Sequence, residues 1–174
     1  MRLESNHLIY TPVQFTDANE IQLAVKESLP LLKGRFSWAE DPFTIRHAQA
    51  IVQDSIANIR DGTNMALSMK TKTGRFAGFA TLKEIPDLMG ARVPMYLLEA
   101  WIRSGDSDQS LLEEALKTVT NHALQSMGAK RVFTYLPSGD GTINAYQQAG
   151  FVLEATLKNS RQGPADTMLL AKTS

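Results

Sequence analysis

Apolar positions along this 174-residue chain recur at two spacings, and the changes between them mark its elements. Residues 7–13 read as a first strand interrupted at Pro12. Residues 16–29 predict a helix with Thr16 as its cap, Asn19 and Glu20 in the first turn, and Ile21, Val25 and Leu29 on one face. Pro30 and Gly34 then break it. Asp41-Pro42 opens a second helix, whose apolar positions Ile45, Ala48, Ile51, Val52, Ile56 and Ile59 keep a 3.6-residue period. Gly62 ends it. Residues 65–69 and 76–82 alternate as strands, joined by Lys72-Thr73-Gly74 as a hairpin loop. Residues 95–102 form a third, largely apolar strand.

The strongest helical pattern covers residues 110–127. Leu112, Ala115, Leu116, Val119, Ala123 and Met127 line one face, and Gly128 closes it. Residues 132–136 read as a short central strand, 142–149 as a short helix ended by Gly150, and 151–157 with 167–171 as a closing hairpin. The order β-α-α-β-β-β-α-β-α-β-β predicts an α/β (α+β layered) domain built on one mixed sheet. No repeat or linker divides it, so residues 1–174 read as a single domain.

Composition narrows the function classes. Lys and Arg number 18, as do Asp and Glu, so no net charge calls for nucleic acid or an anionic membrane as a partner. The absence of Cys excludes thiol catalysis and disulfides, and fits a cytoplasmic setting. His7, His47 and His122 are scattered, with no metal-binding spacing. The first seven residues are polar and mixed in charge, unlike a cleaved leader, and no run of 18 apolar residues exists to span a membrane.

Three words carry more. Leu98-Glu99-Ala100-Trp101-Ile102 is a strand followed by a tight loop and a long helix. That helix leaves through Met127-Gly128-Ala129-Lys130-Arg131-Val132. Ala149-Gly150-Phe151-Val152-Leu153-Glu154-Ala155-Thr156-Leu157 closes the series. In this register the chain resembles the Gcn-related N-acetyltransferase (GNAT) superfamily, and within it the ribosomal-protein N-terminal acetyltransferase branch. The resemblance implies the GNAT fold, one mixed central sheet with helices on both faces. It also implies acetyl-CoA as a small-molecule acyl donor, and transfer to a primary amine, either a peptide N-terminus or a small amine. A homodimer is compatible with it. The competing class is a non-catalytic GNAT-like binding or regulatory module whose CoA loop has decayed.

In the family the pyrophosphate of the donor sits on the loop before the long helix, with the pattern Gln/Arg-x-x-Gly-x-Gly/Ala. The resemblance places this cofactor-binding loop on Ser107, Asp108, Gln109, Ser110, Leu111 and Leu112. Ser107, Ser110 and Leu112 replace the three specified residues. Glycine matters there because a missing Cβ lets backbone N–H groups approach phosphate. Ser110 and Glu113 instead read as a capping box that would occupy those donors. Asp106, Asp108, Glu113 and Glu114 add carboxylates near the seat, each opposing a phosphate charge at about 6 Å by roughly 1–3 kcal/mol. Together these departures predict weak acetyl-CoA binding.

The chemistry needs a deprotonated amine, a polarised thioester carbonyl and a protonated leaving thiolate. The resemblance assigns the carbonyl to a backbone N–H at a β-bulge within Ala100, Trp101 and Ile102. It assigns the base to Glu99, a carboxylate in an apolar strand, which also reads as a strand end facing water. Tyr146, four residues before Gly150, stands where the family places its thiol-protonating Tyr, and reads equally as a core residue. Thr142 keeps a hydroxyl at a family Ser position, or caps the short helix; the family's Asn falls on Gly139. Trp38 follows Gly34-Arg35-Phe36-Ser37, where the branch has a Trp-containing loop lining the acceptor site, and alternatively anchors its own loop. The branch's second carboxylate has no counterpart before Asp166.

Overall fold

Alternation along the strands and the 3.6-residue period of the helices resolve into a layered domain. The computed structural model describes residues 1–60, 64–85, 93–106, 109–158 and 166–174. Gly62, Ser107 and Asp108 lie outside the described residues. The order is β1 (Leu3–Glu4), β2 (Leu8–Pro12), α1 (Ala18–Leu32), α2 (Ile45–Arg60), β3 (Asn64–Thr71), β4 (Phe76–Ile85) and β5 (Met95–Ile102). Then follow α3 (Gln109–Ser126), β6 (Arg131–Pro137), α4 (Ile143–Gln148), β7 (Val152–Leu157) and β8 (Thr167–Thr173). The strands form one eight-stranded sheet of order β1-β2-β3-β4-β5-β6-β8-β7. Its neighbours are antiparallel except for β5 and β6, which run parallel. No helix among the described residues is long and apolar enough to cross a membrane.

Successive residues of β5 point to opposite faces. Tyr96, Leu98, Ala100 and Ile102 pack with the buried faces of α3 and α4, whereas Trp101 packs with α1, α2, Phe76 and Phe79. Each face therefore carries its own core, with helices on both sides. Gly128 (φ +72°) turns the chain out of α3, and Ala129 N–H returns to the Ala123 carbonyl at 3.0 Å.

The expected helix boundaries need correction. Pro30 does not end α1, which runs on to Leu32. It lies in the last turn, so its missing N–H removes one bond while Lys33 N–H still reaches the Leu29 carbonyl at 2.9 Å. Thr16 is no cap either; it sits in a 3₁₀ turn, Phe15–Asp17. The anchor is buried Asp17, whose carboxylate accepts from Gln14 N–H at 3.0 Å, Ser68 Oγ at 2.7 Å and Lys70 Nζ at 2.8 Å. Burial pushes this carboxyl up, but the Lys70 ammonium and the other donors outweigh it and hold it below its ordinary value. The second helix starts at Ile45 rather than at the cis Asp41–Pro42 bond. Thr44 prepares that start: its carbonyl accepts from His47 and Ala48 N–H, and its own N–H donates to His47 Nδ1 at 3.1 Å.

Candidate functional site

The parallel pair opens the site. Strand β5 pairs with β6 only through Met95, Tyr96 and Leu97, opposite Arg131, Val132 and Phe133. Beyond them the two strands diverge into a fork. The other edge of β5 stays paired with β4 in continuous register from Ile85↔Met95 to Gly78↔Ile102. The bulge expected at Ala100, Trp101 and Ile102 is therefore not present. The divergence itself frees the backbone there. Arg103 N–H bonds the Ala77 carbonyl at 2.8 Å. Because bonded pairs alternate along an antiparallel ladder, the N–H and C=O of Ala100 and Ile102 point away from β4, into the fork.

Trp101 divides the space around this fork. Its side chain is 3% exposed and lines two cavities. A Cβ on Gly78 would stand 2.2 Å from the Trp101 carbonyl, so only glycine lets β4 pass this close and hold the strand in place.

The first cavity, about 350 Å³, lies on the α1/α2 face and is lined by Phe36, Trp38, Asp54, Asn64, Glu99 and Trp101 among others. Sheet register lays out its floor. Ala66, Thr81 and Glu99 form one cross-strand row, and Asn64, Lys83 and Leu97 the next. Glu99 is solvent-accessible and lines this cavity. Burial pushes its carboxyl above the ordinary value, opposed by Arg35 and Lys83. Trp38 is part of the same wall. It stacks on Phe36 at 5.0 Å and meets Trp101 at 6.4 Å while lining the cavity. Two polar atoms in this wall, Asn64 Oδ1 and Trp101 Nε1, are buried without a hydrogen-bond partner.

The second cavity, about 290 Å³, opens on the α3/α4 side beside Ile102, Gln109, Leu112, Gly141 and Thr142. Polar links cross it. Gln109 Nε2 donates to the Gly141 carbonyl at 3.1 Å, and Asn144 Nδ2 donates to Gln109 Oε1 at 3.3 Å. Asp140 Oδ1 accepts from Thr142 N–H at 2.7 Å and from Thr142 Oγ1 at 2.5 Å. Thr142 thus stands at the N-cap position of α4, but its hydroxyl serves Asp140 instead of the helix. Tyr146 is fully buried, edge-on to Phe151 at 5.3 Å, with its oxygen toward Arg35. Burial raises its phenol, while Arg35 and the Thr134 hydroxyl lower it.

The carboxylates expected to crowd the donor loop divide. Glu113 reaches forward to Lys117 Nζ at 2.5 Å, and α3 already begins at Gln109, so the capping box expected between Ser110 and Glu113 is not how this helix starts. Glu114 turns to the N-terminal strands, accepting from Ser5 Oγ, from His7 N–H at 2.8 Å and pairing His7 Nδ1 at 2.7 Å. The Asp106 and Asp108 side chains fall outside the described ones. The loop leaving β5 is fastened to α1 instead: Ser104 N–H donates to Ser28 Oγ at 2.8 Å, and Arg103 grips Glu27 through two bonds of 2.6 Å.

Sequence reasoning missed Arg35 and Asp140. Arg35 is 6% exposed at its side chain, with Nη2 3.0 Å from the Ala100 carbonyl and Nε 3.6 Å from Asp140 Oδ2. The available signal was an arginine within the aromatic loop Gly34-Arg35-Phe36-Ser37-Trp38, where a charge needs a buried partner.

No protein-family model matches this sequence, and no curated protein matches it. Solved structures do match its shape. A ribosomal L7/L12 alpha-N-protein acetyltransferase, RimL, in complex with coenzyme A superposes with a TM-score of 0.87 at 13% identity, covering 99% of this chain and 98% of that one. The microcin C7 self-immunity acetyltransferase MccE, in complex with acetyl-CoA and AMP, gives 0.84 at 16% identity over 98% and 94%. A ribosomal-protein-S5-alanine acetyltransferase from Vibrio fischeri gives 0.82 at 13% identity over 99% and 96%. This chain therefore has the fold of the GNAT acetyltransferases.

Proposed function

We propose that this chain is an acetyl-CoA-dependent N-acetyltransferase acting on a primary amine, a peptide N-terminus or a small amine. The observation that carries the reading is the pair of cavities meeting at Trp101, with fork-facing backbone between them and the Glu99 carboxylate lining one of them. Acetyltransferases of the same fold have been solved with coenzyme A and with acetyl-CoA.

In this reading the acyl donor enters from the α3/α4 side and the amine from the α1/α2 side. Glu99 takes the amine proton, directly or through a water in its cavity; burial raises its carboxyl and makes it a stronger base. The N–H groups of Ala100 or Ile102 polarise the thioester carbonyl. As the amine nitrogen bonds the acetyl carbon and the carbon–sulfur bond breaks, Tyr146 gives its proton to the sulfur. The products are the acetamide and free CoA thiol. Thr142 holds Asp140 and orders the loop on the donor wall. Trp38 and Trp101 present indole surface to the carbon skeleton of the acceptor.

The competing reading, a non-catalytic module, draws on two contacts. Arg35 already sits on the Ala100 carbonyl, and Gln109 already spans from α3 to Gly141. A direct assay separates the two. Purified protein is given acetyl-CoA with small amines and peptides bearing free N-termini, and thiol release is followed. The enzyme reading expects acceptor-dependent release, and Tyr146→Phe lowers kcat about 10²-fold with the KM for acetyl-CoA unchanged. A binding module releases no thiol with any acceptor.

A further inference from the structure

Arg35 reaches the fork from the loop after α1 and has no part in the proposed chemistry so far, and four contacts fix it there. Gly34 (φ +82°) turns the chain after α1. The guanidinium carbon then lies 4.9 Å from the centroid of the Phe36 ring. Its Nη2 donates to the Ala100 carbonyl at 3.0 Å and to the Tyr146 oxygen at 3.4 Å, and its Nε lies 3.6 Å from Asp140 Oδ2. These partners come from β5, α4 and the loop before α4, so one side chain joins three segments far apart in sequence.

A guanidinium has donors only and keeps its charge at any working pH. The Tyr146 oxygen must therefore accept from Arg35, and the phenol proton must point elsewhere. The hydroxyl of buried Thr134 is the phenol's other hydrogen-bonding neighbour. Resting on the proposed role of Tyr146 as the thiol-protonating acid, we propose that Arg35 is a positioning residue for that step. Braced by Asp140 and the Ala100 carbonyl, it donates to the phenol oxygen and leaves the Tyr146 proton available for transfer to the sulfur.

The step balances within this arrangement. The O–H bond breaks as the S–H bond forms, and the charge left on the phenolate lies beside the Arg35 guanidinium until a solvent proton returns. Five influences act on Tyr146: burial, Asp140 and Glu99 favour the neutral phenol, while Arg35 and the Thr134 hydroxyl favour the phenolate. The first group already prevails, and taking Arg35 away adds to it. Tyr146 then titrates at higher pH and becomes a weaker acid.

The test combines kinetics with a titration independent of turnover. The ionisation of Tyr146 is read by ultraviolet difference spectroscopy against Tyr146→Phe in the same background. With Arg35→Gln it should move to higher pH by about one unit, the basic limb of kcat should follow, and kcat should drop about tenfold with the KM for acetyl-CoA unchanged. Arg35→Lys, which keeps the charge without the fork, should recover part of both effects. If Arg35→Gln does not fold, Asp140→Asn reads the same coupling with opposite sign, moving the Tyr146 titration down. A Tyr146 titration and basic limb that superimpose on wild type, with only a lower Tm, would reduce Arg35 to a brace and overturn the proposal. Failure of the wild type to release thiol would instead overturn the acetyltransferase reading, while the titration still reports whether Arg35 governs Tyr146.

Discussion

The two cavities on either side of Trp101 are made by different means. On the side where the proposed reading puts the acceptor, the floor is a grid set by strand register, with Glu99, Thr81 and Ala66 in one row and Lys83 and Asn64 in the next. The donor side is held by side chains that cross between loops: Arg35 to Ala100 and Asp140, Gln109 to Gly141, Ser104 to Ser28. A grid of this kind tolerates a change at one position, because neighbouring rows keep the register. A cross-braced wall passes the loss of one polar group to the others it holds. Substitutions on the acceptor side should therefore act locally, on the amine and on the acidic limb of activity. Those on the donor side should shift several properties together.

The largest effect is expected outside both cavities, where one buried charge ties the start of α1 to β3. Asp17→Ala removes the acceptor for Gln14 N–H, Ser68 Oγ and Lys70 Nζ at once. It should lower unfolding free energy by about 2–4 kcal/mol, measured by urea denaturation near neutral pH. The Asp17 carboxyl is held below its ordinary value, so its contribution is complete above that ordinary value. It is lost as the pH falls through the lowered one. The gap between wild type and variant should close in acid. A variant as stable as wild type at neutral pH would mean that register alone sets the α1 end of the sheet.

Glu99→Gln is the next smaller break. It keeps the shape of the row and removes the base. Activity should fall at least tenfold, and the acidic limb of the kcat/KM profile should disappear, with the KM for acetyl-CoA unaltered. Because the carboxyl is raised by burial, the wild-type limb should lie above the ordinary Glu value. Superimposable profiles would leave Glu99 as floor alone. Trp38→Ala should be smallest. Losing its stack on Phe36 and its approach to Trp101 should raise the KM for the amine by a few fold, on the order of 1 kcal/mol, and leave kcat nearly constant. An equal rise in the KM for acetyl-CoA would show that the two cavities are not separate.

The same contrast explains what could be read from sequence. Strand alternation and helix period are local, and they gave the sheet, both helical layers and the position of Glu99 on β5. Where they failed, a local signal met a competing partner. Thr16 looks like a cap, but Asp17 finds Ser68 and Lys70 across the sheet. Glu113 looks like the return arm of a capping box, but Lys117 lies one turn ahead. The expected bulge was a way to free backbone at Ala100; divergence of β5 from β6 frees it without an inserted residue. Arg35 lies 65 residues from Ala100 and 111 from Tyr146, a separation over which no periodic pattern carries information. The donor wall was therefore the part least legible in the chain.

Calorimetric titration of acetyl-CoA into the wild-type protein and Gly141→Trp tests most directly whether this wall receives the donor. Gly141 lines the donor cavity, and nothing lies within 4 Å of a Cβ added there, so the substitution should fold while narrowing the entrance. Wild-type protein should give saturable one-site heat, weakened at least tenfold by Gly141→Trp and unchanged by Trp38→Ala on the acceptor side. No saturable heat from wild type, or equal affinity in Gly141→Trp, would contradict the placement of the acyl donor between α3 and α4.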